Sequence, residues 1–142
     1  MVWELMLAVW NGGFQKMILN DFHQNRTEGK TMHSAQAPKG ESFNPADAVA
    51  YAAGSVVSKT LLDKGIGNIT LFSFDQGQGL SEHTSPFDAV VYVLDGQATV
   101  TIGGAAGTVG AGEMIIMPAN VPHALQAEKR FKMLLIMIRA KE

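Results

Sequence analysis

Residues 56–138 consist of short apolar runs divided by glycine-bearing turns, and this rhythm limits the fold more than any other feature. Residues 56–62 are rich in β-branched side chains and end at Asp63-Lys64-Gly65, a turn signal. Residues 68–75 alternate, with Thr70, Phe72 and Phe74 on one side and Ile69, Leu71 and Ser73 on the other. Residues 89–94 are apolar on both faces and run into Asp95-Gly96. That dipeptide predicts a type I′ hairpin, whose central residues need positive φ. Residues 97–102 return as its partner, broken by Gly103-Gly104, and the glycines within 107–112 suit tight turns. Residues 113–117, 121–126 and 131–138 read as further strands. About eight strands at regular spacing, with no helical period after Gly54, predict an all-β sandwich or barrel.

Upstream, Asn44 is placed to cap a single helical turn begun by Pro45. The folded domain is expected over 43–142, with 1–42 a poorly structured or mis-started leader. Residues 2–10 are apolar, but Glu4 interrupts them and no basic start or small-residue cleavage site accompanies them, unlike a secretory signal. Two readings of residues 1–31 stay open. One is an amphipathic or loosely docked segment; the other is a start upstream of the native one, at Met17 or Met32. The polar stretches 20–30 and 33–45 read as linker, and His23 and His33 within them as solvated.

A chain of 142 residues is most simply one domain with a real core. It has no cysteine, which rules out disulfides and thiolate metal sites. The net charge is −2, and Lys129-Arg130-Phe131-Lys132 is a solvated turn, so a nucleic-acid partner is not expected. No apolar run approaches the roughly 20 residues that span a bilayer, and the expectation is a cytoplasmic protein without a membrane partner. Residues 89–94 and 133–138 are apolar on both faces, so something must cover an outward sheet face. A homodimer is predicted, with residues 56–62 adding to the partner's sheet edge. The alternative cover is the N-terminal segment folding back.

Two segments carry the chemistry. The first is Gly77-Gln78-Gly79-Leu80-Ser81-Glu82-His83-Thr84-Ser85-Pro86-Phe87-Asp88, leading through an apolar strand to Gly96. The second is Gly112-Glu113-Met114-Ile115-Ile116-Met117-Pro118-Ala119-Asn120-Val121-Pro122-His123. Together they resemble the two motifs of the cupin superfamily. The resemblance spans roughly residues 56–138 and implies a double-stranded β-helix, or jelly-roll, barrel. It also implies three histidines and a glutamate around a metal. Here His83 and His123 match, but Ser85 stands at the second histidine and the glutamate falls at Ala89 or Val90. Asn120 stands where glycine is usual, and asparagine tolerates positive φ.

By the resemblance, His83 and Ser85 point into the barrel and His123 approaches from a neighbouring strand. Asp88 would share their face if Val90 faces the cavity, giving His83, His123 and Asp88 as metal candidates. The residues by themselves make no cofactor certain. Should the resemblance extend to metal, one divalent ion is implied, and the sequence does not rank zinc, iron, nickel and manganese. A well-populated site usually wants three or four protein ligands, so a metal-free cavity is the competing reading. His83, Ser85, Phe74, Tyr92, Met117 and His123 are the candidate ligand-binding residues, with Phe72 and Leu94 completing an apolar lining. Met114, Met117, Met133 and Met137 read as core filling. Ser85 with a histidine and Asp88 lacks the Gly-x-Ser-x-Gly elbow of a nucleophilic triad.

Two functions follow. One is a cupin that binds a small organic molecule in its cavity as a sensor, carrier or scavenger. The alternative is a metal-dependent oxygenase, isomerase or lyase acting on a small organic substrate. A protein whose outer apolar face is its business ranks third.

Overall fold

The computed structural model describes residues 16–19, 37 and 39–139, with backbone alone for 16–19. Among the described residues ten strands follow one another: β1 Lys16–Leu19, β2 Ser55–Lys64, β3 Gly67–Phe74, β4 Gly79–His83, β5 Asp88–Asp95, β6 Gln97–Ile102, β7 Ala105–Gly110, β8 Met114–Met117, β9 His123–Gln126 and β10 Phe131–Ile138. One sheet runs β1-β2-β3-β10-β5-β8 and the other β4-β9-β6-β7. The described helix is a single 3₁₀ turn over Pro45–Ala48, where Asn44 Oδ1 accepts from Ala46 N at 3.0 Å as its cap. Among the described residues no helix is long and apolar enough to cross a membrane.

The two sheets face each other across one core. The strand pattern dictates which side chains enter it. On β10, Phe131, Met133, Leu135 and Met137 are buried, while Lys132, Leu134 and Ile136 face the other way. On β5 the inward set is Ala89, Val91 and Val93. The second sheet contributes Ala98, Val100, His123 and Leu125. Phe72, Phe74 and Phe131 fill one end as a stack, with Phe74 and Phe131 4.5 Å apart and Phe72 and Phe74 5.9 Å apart.

Several expectations change. The phase of β5 is opposite to the one that puts Val90 inside, so Tyr92 and Leu94 lie on the outer face, beyond the cavity. The type I′ turn belongs to Gly103-Gly104, not to Asp95-Gly96. Gly103 and Gly104 both have positive φ and close the β6–β7 hairpin, where Ile102 pairs with Ala105. At Asp95-Gly96 only Gly96 is left-handed, and a Cβ there would lie 2.3 Å from the Arg130 carbonyl oxygen. The stretch read as turns within 107–112 instead contains most of β7, an exposed edge strand held by its hairpin with β6.

The outer face of the six-stranded sheet is covered in part by its own chain. Val49, Val57 and Leu71 form a second buried cluster, with Ala48, Ala52, Leu94 and Leu134 packed against it. Ser73, fully buried on this face, donates to the Ala50 carbonyl at 2.7 Å. Thus the segment ahead of β2 folds back over one half, while Met114, Ile116 and Ile138 on the other half stay exposed. The basic turn is anchored: Arg130 and Lys132 sit 4.7 and 4.8 Å from the Tyr51 ring centre. The Tyr51 hydroxyl donates to Asp95 at 2.5 Å, and burial followed by that bond raises its pKa. Within the expected leader, β1 pairs in parallel with Ser55–Ser58, so that stretch of the β2 edge is taken by this chain itself. The other readings of residues 1–36 lie outside the described residues.

Candidate functional site

The site lies between the sheets, at the end opposite the phenylalanine stack. His83 ends β4 and His123 begins β9, and the two are direct cross-strand partners. Their side chains therefore share one face, and their rings meet edge to face with centres 4.4 Å apart. Each ring is held by its own backbone. His83 Nδ1 bonds the Ser81 carbonyl at 2.8 Å, and His123 Nδ1 bonds the Val121 carbonyl at 3.0 Å. A carbonyl oxygen can only accept, so Nδ1 carries the proton in both rings. In the neutral form each Nε2 then keeps its lone pair, and the site offers two acceptors. Burial lowers the pKa of His123; the Val121 bond opposes this and the nearby His83 adds to it. With 3% exposure, His123 is held towards its neutral form.

The loop before His123 is fixed by the first motif. Asn120 adopts φ 62°, the left-handed conformation expected of it, and its N–H donates to the Ser85 carbonyl at 2.7 Å. Asp88 Oδ1 accepts from Ala119 N at 2.8 Å. Asp88 is exposed and outside the cavity lining, so it anchors the Pro118–Asn120 bend and is not brought to the histidines. The physical reason is the phase of β5: Ala89 points inward, which turns its neighbour outward.

A cavity of about 50 Å³ opens against the histidine pair. One water needs roughly 10–15 Å³ of such space, so the cavity suits a compact molecule of a few heavy atoms. Leu80, Leu125, Leu135 and three methionines, Met117, Met133 and Met137, make most of its wall, which Ala89 also lines. Exposed Thr84 and Pro86 form its rim, and half-buried Ser85 lines it. Ser85 lies beyond the end of β4, and its Oγ accepts from Phe87 N at 3.2 Å.

Of the sequence candidates, the fold brings together His83, His123, Ser85 and Met117. Phe74 is buried in the aromatic stack and Tyr92 lies on the outer face, so neither lines the cavity. Sequence reasoning passed over Leu80, Ala89, Leu125 and Leu135 as lining residues. For Ala89 the signal was present, since it is one of the two positions to which the motif assigns the glutamate.

Among the described residues no three histidine, cysteine, aspartate or glutamate side chains gather. The pair alone does not make the imidazole-and-carboxylate set that holds a resident zinc, iron, nickel or manganese ion.

The sequence profile of the cupin domain matches residues 70–139. A conserved protein of unknown function from Streptococcus pyogenes is similar over 80% of this chain and all of its own length, at 33% identity and a TM-score of 0.72. A cupin 2 conserved barrel domain protein from Leptotrichia buccalis is 44% identical over 68% of this chain and 47% of its own, with a TM-score of 0.66. A cupin superfamily protein from Desulfitobacterium hafniense is 27% identical over 72% of this chain and 94% of its own, with a TM-score of 0.69. No curated protein matches. The double motif, the jelly-roll sheets and these likenesses agree: the chain is a small cupin domain protein.

Proposed function

We propose that the protein binds a small organic molecule in the cavity between its sheets, with His83 and His123 engaging the molecule's polar group. The observation that carries this reading is the pairing of two backbone-tethered imidazoles at one end of an otherwise apolar cavity. Two acceptors in an apolar wall favour a ligand that donates a hydrogen bond, such as a hydroxyl or an undissociated acid. Among the described residues no lysine or arginine lines the cavity, which favours an uncharged polar group over a phosphate or a dicarboxylate. The methionines give the wall an adaptable surface for the apolar remainder. The alternative of a metal-dependent enzyme needs a further protein donor beside the pair, and Asp88 is held elsewhere.

The test is a thermal-shift screen of untagged, chelator-stripped protein against short alcohols, phenols and acids. Compounds that raise the midpoint for the wild type and not for His83→Ala or His123→Ala support the reading. A panel that never shifts the wild type overturns it. We further take the protein to act in the cytoplasm as a homodimer, for which the exposed Met114 and Ile116 on β8 supply an apolar face. A monomeric mass by light scattering at micromolar concentration would contradict the dimer.

A further inference from the structure

We infer that β7 is a docking edge for a second copy of this chain, which lays its own β7 antiparallel to it about a two-fold axis at Gly107. The inference rests on the homodimer reading above and assigns that dimer a contact. Register decides which backbone groups are free. Gly103-Gly104 closes a two-residue hairpin, so Ile102 and Ala105 face each other as a hydrogen-bonded pair. Such pairs recur at every second residue, at Val100 with Gly107 and at Ala98 with Val109. The N–H and C=O of Ala106, Thr108 and Gly110 therefore point away from β6. Gly110 agrees with this phase: its N–H donates to Glu113 Oε1 at 3.3 Å, and its carbonyl accepts from Glu113 N at 2.9 Å. Ala106 and Thr108 have no such partner among the described residues, because β7 ends its sheet.

These free groups complement themselves. Across a two-fold axis at Gly107, Ala106 lies opposite the partner's Thr108 and Thr108 opposite the partner's Ala106, and each pair exchanges both of its hydrogen bonds. Gly107 then meets its own copy at a non-hydrogen-bonded position, where Cα atoms approach to about 4.5 Å. It has no side chain, and the space a Cβ would take there is open. Residues 105–108 are exposed and uncharged. Sheet edges are ordinarily guarded by charge, proline or a bulge. The opposite edge of the same sheet, β4, has both Glu82 and a register break between Leu80 and His83. β7 has neither over 105–108, and its guard begins only at Gly110, where Glu113 caps the edge.

β7 also lies against β8, the terminal strand of the other sheet, so both sheets end on one side of the sandwich. The exposed Met114 and Ile116 of β8 stand on that side. They give the contact the apolar area that a few backbone hydrogen bonds lack.

The experiment follows the mass of the untagged full-length chain by sedimentation over a dilution series. The wild type should be dimeric at micromolar concentration. Ala106 and Thr108 are exposed and share one strand face, so Ala106→Lys/Thr108→Lys sets like charges opposite each other across the axis. It should raise the dimer dissociation constant roughly tenfold or more. Ala106→Glu/Thr108→Glu should do the same, and an equimolar mixture of the two variants should recover the dimer. Recovery needs folded chains, which separates a lost contact from a lost fold. By hydrogen exchange, the Ala106 and Thr108 amides should be protected in the dimer and lose that protection on dilution, while the Gly110 amide stays unchanged. A monomeric wild type would end the dimer reading and this inference with it. A dimer that survives both charge variants, a mixture that stays monomeric, or freely exchanging Ala106 and Thr108 amides in the dimer would overturn the β7 pairing and leave the dimer reading standing.

Discussion

The two ends of this sandwich lie between the same pair of sheets and are filled in opposite ways. At one end Phe74 and Phe131 stack 4.5 Å apart, with Phe72 beside them, and all three are buried. At the other, His83, His123 and the methionines leave a cavity of about 50 Å³. β10 runs through both, from Phe131 at the closed end to Met137 at the hollow one. Close packing rewards filling every gap, so the unfilled end bounded by two tethered imidazoles is where the proposed binding is placed. On the proposed function, the difference teaches that stability and binding fall to separate residues along the same strands.

The comparison is broken or sharpened by four substitutions or conditions. The largest effect is expected at the closed end, where Phe131→Ala should cost about 3–5 kcal/mol in urea unfolding, because it removes one ring of the stack. A cost near that of a surface change would show that the stack is not the core. At the hollow end Met137→Leu should cost less than about 1.5 kcal/mol, since shape and volume are nearly kept. Equal losses from the two substitutions would erase the distinction.

The pH dependence is the third. Because the folded-state pKa of His123 is lowered, the unfolded chain binds a proton that the folded chain resists. The contribution is fully present above the ordinary imidazole value of 6.5 and is lost as pH falls below it. The slope is at most about 1.4 kcal/mol per pH unit. His123→Gln should flatten that slope; an unchanged slope would assign it to other groups. Last, Asp88→Ala should cost about 1 kcal/mol by freeing the Ala119 amide, and leave the ligand-induced thermal shift unchanged. Loss of that shift in this variant would return Asp88 to the site.

Much of the fold is legible in the residues, and the failures have physical causes. The strand rhythm and the Asn44 cap follow from local chemistry, the left-handed Asn120 from the family resemblance, and each is found. The phase of β5 is not readable, because residues 89–94 are apolar on both faces and alternation carries no signal there. That single ambiguity moves Tyr92, Leu94 and Asp88 to the wrong side. β7 escapes notice because Ala105-Ala106-Gly107 has little strand preference of its own, and the strand exists through pairing with β6. The site is half legible. His83 and His123 stand out by spacing, while the placement of Met117 and Met137 around Ala89 depends on register between strands far apart in sequence.

The central claim is that the hollow end, and not the outer sheet face, receives the ligand. It is tested most directly by methyl NMR on protein labelled at the methionine methyls, titrated with the strongest compound from the thermal-shift screen. Met117, Met133 and Met137 should shift in proportion to occupancy while Met114, on the outer face of β8, stays fixed. A shift confined to Met114, with the cavity methionines unmoved, would contradict the account.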